Sequence, residues 1–205
     1  MKKMTQVEME TGVMKFLTGI EMKQHAFSPE MEFFGREPIS RDISCFLQIR
    51  LSLIYLIAKS KFMTSIDIED IEQEDKVIAN INCNKDLSEK EKNGVMRLLI
   101  LASKNIQTNL FNEWSDNPEL APKGPFLSLD TLRSLIVDSD KEMFSYFSNA
   151  NFSKIDLMSF ILDFHFSHSH LDLTLCKEIK VAIFELLKEQ RDIKSIANTS
   201  VLFSF

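Results

Sequence analysis

Apolar residues along most of the chain recur at spacings of three and four, which predicts helices. The most apolar segment begins at Ser40, a candidate N-cap, and extends to about Lys61, with apolar residues on nearly every side of the helix that it would form. A helix of this kind is usually buried in the centre of a domain, so we interpret it as the core helix. The alternative for 51–58 is a buried strand, since short apolar runs fit both structures.

A clear amphipathic helix is predicted from Ser88 to about Trp114. Ser88 and Glu91 fit a capping box, in which two side chains accept hydrogen bonds from orphan backbone amides of the first turn. The pair Asn93-Gly94 could interrupt this helix near its start.

Two segments have the features of strands. Apolar residues fall at every second position in 76–84, and Thr199–Phe205 is rich in β-prone residues. A small antiparallel sheet is therefore expected from 76–84 and the C-terminus. Residues 28–30 have instead the cap, proline and acid of a helix start, with Gly35 ending that helix after barely two turns.

The second half of the chain predicts three or four shorter helices, preceded by a loop over 117–125 that contains three prolines and a glycine. This loop is interpreted as an exposed turn, and the alternative is a boundary between two lobes. The predicted helix starts are Ser128 or Asp130, Ser139 with Glu142 in a capping box, Ser153 with Asp156 in a capping box, and Asp172 or Thr174.

These elements together predict a mainly α fold. The 205 residues are enough to bury a core, and glycine and proline are scarce, at five each. We expect one helical domain over 1–205, a compact bundle of about six to eight helices, with an α+β fold as the alternative. Residues 1–27 are Met-rich and weakly helical, and could be peripheral to this domain.

Charge and hydropathy limit the classes of partner. The net charge is −6 and no dense run of Lys or Arg occurs, which disfavours nucleic acid and anionic membrane surfaces. The longest apolar stretch, 43–58, contains Gln48 and Arg50 and is short for a membrane span. The expected partners are therefore one or more proteins, either basic or presenting amphipathic helices.

The cysteines and the missing motifs argue against covalent catalysis. Cys45, Cys83 and Cys176 are far apart and lack CxxC spacing, which predicts reduced thiols and a cytoplasmic protein. Each lies in an apolar or strand-like pattern, which predicts an inert, buried thiol. No nucleophile elbow or phosphate-binding glycine loop occurs in the sequence, so we predict no catalytic residue and no cofactor.

A histidine cluster is the most distinctive local pattern. His165, His168 and His170 fall within six positions, and imidazole is a common ligand of zinc, copper and nickel. On a helix His165 and His168 would share a face, with Asp172 or Cys176 as a further ligand. The alternative needs no metal, because histidine at a helix C-terminus interacts favourably with the helix dipole.

An acidic block precedes the predicted strand. Its carboxylates could bind a basic, partly apolar groove of a partner or imitate a phosphate backbone; the alternative is a solvated surface. The members of this acidic block are Asp67, Glu69, Asp70, Glu72, Glu74 and Asp75.

The leading functional hypothesis is a non-enzymatic protein–protein interaction module, acting as an adaptor, chaperone or inhibitor. Small, acidic, helical proteins with few cysteines include secretion chaperones and adaptors of bacterial pathogens, a likeness of composition alone. One alternative is a metal-dependent enzyme that uses the histidine cluster. Another is a secreted effector or an acidic mimic that blocks a nucleic-acid-binding protein.

Overall fold

The structure, a computed structural model, describes residues 31–34, 38–81, 87–123, 127–149 and 152–202. The predicted mainly α bundle is confirmed, since six helices make up most of this part of the chain. In chain order the elements are β1 (Met31–Phe34), α1 (Pro38–Thr64), α2 (Ile71–Ile81), α3 (Glu89–Asp116), α4 (Leu129–Asn149), α5 (Lys154–Asp163), β2 (His165–His168) and α6 (Leu173–Leu202).

Helix α1 is the central element, as its pattern predicts. It contacts α3, α4, α5 and β1, and this cover on several sides explains why apolar residues surround the helix. The strand alternative for 51–58 is wrong, because these residues lie in the middle of an unbroken helix of 27 residues. Its largest fully buried apolar side chains are Ile43, Leu47 and Leu51.

The small sheet lies elsewhere than expected. Strands β1 and β2 pair antiparallel, with Met31 opposite His168 and Phe34 opposite His165. The helix predicted to end at Gly35 is therefore wrong over 31–34, while 1–30 and Gly35 lie outside the described residues.

The two predicted strands are wrong wherever they can be checked. Residues 76–81 belong to α2 and 199–202 to α6. The alternation over 77–81 fits a helix as well as a strand, because Val77 and Ile81 are four positions apart and so share one face of a helix. Both residues are buried in α2. Residues 82–86, with Cys83, and 203–205 lie outside the described part.

Two predicted helix boundaries in the middle of the chain are also wrong. Helix α3 passes through Asn93 and Gly94 without a break, and α4 passes through Ser139. Ser139 is buried inside α4 beside Asp140, so it cannot act as a cap. A local helix-breaking or capping residue changes the stability of a helix by only about 1 kcal/mol, and the tertiary contacts of α3 and α4 outweigh it.

The capping box predicted at the start of α5 is confirmed. The Ser153 hydroxyl accepts a hydrogen bond from the Asp156 amide at 3.1 Å, and the Asp156 carboxylate accepts one from the Ser153 amide at 2.7 Å. The box predicted at Ser88 does not form, since Ser88 makes no side-chain capping bond. The predicted start of α6 is confirmed by Asp172, whose carboxylate accepts a hydrogen bond from the Thr174 amide at 2.6 Å.

This difference between the two serines gives a matched test of capping. We expect Ser153→Ala to lower the free energy of unfolding by about 1 kcal/mol, because the Asp156 amide loses the hydroxyl that accepts its hydrogen bond. Ser88→Ala is expected to change it by less than about 0.5 kcal/mol, because no capping bond is lost. Urea unfolding of both variants measures the two values, and equal losses would contradict the prediction.

Candidate functional site

Helix α5 carries apolar side chains on two opposite faces. Its inner face buries Leu157 and Phe160 in the core. On its outer face Ile155 is 77% exposed, Met158 51% and Leu162 65%. We call these three outer residues the α5 stripe.

The α5 stripe is continuous because of its spacing. Residues three, four and seven apart lie along one side of a helix, so the three side chains form a strip about 10 Å long. Single exposed apolar residues need no explanation, whereas a continuous exposed strip is typical of an interaction surface. The other large exposed apolar residues of the described part are spread over four helices and two loops, namely Tyr55, Met63, Ile66, Ile71, Leu101, Leu120, Leu173 and Val181.

A buried ion pair links three helices in the interior. The Arg50 Nε of α1 donates to the Asp140 Oδ1 of α4 at 2.8 Å, and both side chains are almost fully buried. The Arg50 Nη1 donates to the Ser103 hydroxyl of α3, also at 2.8 Å. Burial raises the pKa of Asp140 above its ordinary value, and the Arg50 guanidinium offsets part of that rise.

The sequence patterns did not predict this ion pair. In the sequence, Arg50 is distinctive only as a polar residue within an apolar stretch. The available signal was a single charged residue within an apolar helix, which when buried requires a partner of opposite charge. Periodicity could not identify Asp140 as that partner, because it lies 90 positions further along the chain.

Half of the acidic block forms ion pairs within the protein. Asp70 pairs with Arg133 of α4, while Glu69 and Glu74 lie 3.3 and 3.1 Å from the Lys104 ammonium of α3. These contacts hold α2 and the loop before it against α3 and α4. These three carboxylates are therefore structural. Glu74 and Glu69 also raise the pKa of Lys104 by accepting hydrogen bonds from its ammonium.

The other half of the acidic block faces solvent. Asp67, Glu72 and Asp75 are exposed, as the interpretation of a solvated surface predicts. Reversing every charge of the block would also detach α2. A clean test of the acidic-mimic hypothesis therefore reverses only Glu72 and Asp75, and unchanged binding would then exclude it.

A cavity lies between α1, α2, α3 and α4. Its volume is about 90 Å³, and Arg50 and Lys61 of α1 line it together with Gln107 of α3. Half of the other lining residues are aliphatic, namely Ile54, Ile57, Ile68, Val77, Ile100 and Ile136. The other half are polar or charged, namely Asp70, Gln73, Glu74, Ser103, Lys104 and Arg133.

The histidine cluster does not lie on a helix. Helix α5 ends at Asp163 and His165–His168 is strand β2, so the predicted shared helical face of His165 and His168 is wrong. His168 is buried, and its Nδ1 accepts a hydrogen bond from the His170 amide at 3.2 Å. The His170 Nε2 lies 3.8 Å from the Glu113 carboxylate.

The metal hypothesis stays a prediction. The side chain of His165 lies outside the described residues. Among the side chains that are described, no three from His, Cys, Asp and Glu come close enough together to hold a metal ion.

The two described cysteines have the properties of inert thiols. Burial raises the pKa of Cys45, and the nearby Asp42 carboxylate raises it further. Burial also raises the pKa of Cys176 to about 11. A reactive cysteine needs a lowered pKa, because the thiolate is the nucleophile.

Among the described residues, the segment Asp42–Thr64 of α1 is long and apolar enough to cross a membrane, by length and composition only. The core helix of a bundle passes the same test, and 61% of its most apolar stretch is buried here. Arg50 and Lys61 lie within this segment and are bonded to other parts of the bundle.

No protein-family model, curated protein or solved structure matches the chain. Two features of the described part offer chemistry beyond folding. They are the α5 stripe on the surface and the cavity between α1 and α4.

Proposed function

We propose that this protein is a non-enzymatic protein–protein interaction module, acting as an adaptor, chaperone or inhibitor, and that the α5 stripe binds its partner. The observation that carries the proposal is the exposure of Ile155, Met158 and Leu162 on one side of a helix whose other side is in the core. A helix that only closed the core would carry polar residues at these outer positions.

The expected mode of binding is a helix in a groove. Apolar anchors at relative positions i, i+3 and i+7 are typical of helices that insert into an apolar groove of another protein. We therefore propose a partner whose groove is formed between amphipathic helices and accepts about two turns of α5. Burying the exposed parts of the three side chains would contribute roughly 3–6 kcal/mol before the costs of association.

The contacts on the inner side of α5 support this mode. Leu157 and Phe160 fix the helix in the core, and the Ser153–Asp156 box fixes its first turn. Because α5 is ordered before binding, the partner does not have to supply the free energy of folding it. A helix held in this way presents its anchors at little entropic cost.

The test is native co-purification of the tagged full chain from its own cells, with quantitative mass spectrometry. The binding variant changes the α5 stripe to glutamine as Ile155→Gln, Met158→Gln and Leu162→Gln. Glutamine favours a helix and suits an exposed site, so the fold is expected to remain. The matched control makes three changes at exposed apolar sites outside α5, namely Ile71→Gln, Leu101→Gln and Leu120→Gln.

We expect at least one stoichiometric partner with the unchanged chain and with the control, and a loss of at least tenfold with the α5 variant. A partner that remains with the α5 variant would contradict the proposed surface. A chain that retains no partner under any condition that preserves salt-sensitive contacts would contradict the proposed function itself.

A further inference from the structure

Helix α2 is attached to the bundle by few apolar side chains. Of its eleven residues only Val77 and Ile81 are buried. A free helix of this length is marginal in water, so α2 depends on its docking to stay helical. Together with the two residues before it, α2 forms one wall of the cavity. We call this segment, 69–81, the α2 lid.

Ion pairs join the α2 lid to two neighbouring helices. Asp70 pairs with Arg133 of α4, and the Glu74 carboxylate lies 3.1 Å from the Lys104 ammonium of α3. All four of these side chains are between 26% and 35% exposed, so water reaches both pairs. Ion pairs in contact with water contribute little each, and dissolved salt weakens them. The attachment of the lid therefore depends on the ionic strength of the solution.

The packing beneath the α2 lid is incomplete. The cavity of about 90 Å³ lies between the lid and side chains of α1 such as Ile54 and Ile57. It is also lined by Gln107 of α3, whose Oε1 is buried and accepts no hydrogen bond from any described residue. A void removes dispersion contacts from the side chains around it, and a buried acceptor without a donor is unfavourable. Both effects weaken the docked state of the lid, because they disappear when water enters.

Lys61 fixes the chain just before the α2 lid to α1. Its side chain is buried, and its ammonium donates to the backbone carbonyls of Asp67 and Ile68 at 2.8 and 2.7 Å. Salt screens a buried contact much less than an exposed one. Residues 67 and 68 are therefore expected to stay on α1 under conditions that weaken the ion pairs of the lid.

We propose that the α2 lid opens as a unit, with Lys61 holding its N-terminal attachment, when the ion pairs of Asp70 and Glu74 are weakened. Opening exposes the aliphatic side of the cavity, which the closed lid covers. Ionic strength thereby controls the exposure of an apolar surface that is separate from the α5 stripe. This device is independent of the proposed function, because none of its contacts involves α5.

The first test measures amide hydrogen exchange of the unmodified full chain by mass spectrometry at low and high concentrations of sodium chloride. Raising the concentration from about 0.01 M to about 1 M shortens the Debye length from about 30 Å to about 3 Å. We expect exchange in α2 to become at least about tenfold faster, because the lid opens more often.

Helix α5 is the internal control for this measurement. It has ten residues against the eleven of α2, and Leu157 and Phe160 anchor it in the core. Its exchange is expected not to become faster in high salt. An unchanged exchange rate of α2 would overturn the proposal. Equal acceleration of α2 and α5 would also overturn it, because the whole bundle would then be opening.

The second test removes the cations that hold the lid, with Lys104→Met and Arg133→Met in one chain. Both changes lie outside the lid, so the sequence of α2 is unaltered. We expect exchange of α2 in low salt to be at least about tenfold faster than in the unmodified chain, with little further response to salt. Protection of α3 in the same spectra verifies that the bundle is folded.

The matched control makes the changes Arg97→Met and Lys141→Met. These are exposed cations of the same two helices that form no ion pair with α2. The control is expected to keep both the slow exchange of α2 in low salt and its acceleration in high salt. If α2 of the Lys104→Met, Arg133→Met variant exchanged as slowly as α2 of the control, the ion pairs would not hold the lid and the proposal would be wrong.

Discussion

Arg50→Met is expected to lower the free energy of unfolding by about 3–5 kcal/mol at neutral pH. The change leaves Asp140 in the interior without the guanidinium that now donates to it at 2.8 Å. The hydroxyl of Ser103 keeps a partner, because it also donates to the Leu99 carbonyl at 2.7 Å. The loss therefore comes mainly from the uncompensated carboxylate, and urea unfolding measures it.

Two matched variants distinguish the effect of the lost charge from the effect of the new side chain. Arg97→Met makes the same substitution at an exposed site of α3 and is expected to change the free energy of unfolding by less than about 0.5 kcal/mol. The double variant Arg50→Met, Asp140→Leu removes both charges and is expected to recover most of the loss, because well-packed apolar pairs often replace buried ion pairs without cost. A double variant as unstable as Arg50→Met would show that the arginine acts through packing instead.

The pH dependence of the stability of Arg50→Met tests the same interpretation. Burial raises the pKa of Asp140 above its ordinary value of 3.8, so the folded chain binds the proton more tightly than the unfolded chain. Stability linked to this group is thus present below the ordinary pKa and is lost as the pH rises through the raised one. Without the guanidinium the pKa of Asp140 rises further. The difference in the free energy of unfolding between the unchanged chain and Arg50→Met should therefore become smaller as the pH falls from 7 to about 4.

The second large effect concerns the inner face of α5. Phe160→Ala is expected to lower the free energy of unfolding by about 3–5 kcal/mol, because it removes a ring that is fully buried and stacked on Phe164 with ring centroids 4.6 Å apart. Ile155→Ala, on the outer face of the same helix, is expected to change it by less than about 0.5 kcal/mol. Denaturant unfolding compares the two variants directly.

The same pair of variants connects stability with function. Loss of Phe160 should increase amide hydrogen exchange in α5, because the helix loses its anchor in the core. Ile155→Ala should leave exchange unchanged and weaken only the binding of the partner. If Ile155→Ala proved as destabilising as Phe160→Ala, the outer face of α5 would belong to the core and the proposed interaction surface would be wrong.

The elements with local signals can be predicted from the amino-acid sequence. The fold class, the central place of α1 and the starts of α5 and α6 follow from helical spacing and from caps such as Ser153 with Asp156. These signals act between residues at most a few positions apart, so they can be recognised in the sequence without knowledge of the fold. The predicted break at Asn93-Gly94 failed because local costs of about 1 kcal/mol are small beside the packing of a long helix.

Contacts between residues that are distant in the sequence depend on the tertiary fold. Strand β1 pairs with β2, and Arg50 pairs with Asp140, although both pairs are far apart in the sequence. Acids that look alike in sequence differ in the fold, since Asp70 is paired and Glu72 is exposed. Apolar residues occur on both sides of α5, so periodicity alone could not say which side enters the core. The α5 stripe and the cavity exist because long-range packing covers one set of side chains and leaves another without protein neighbours.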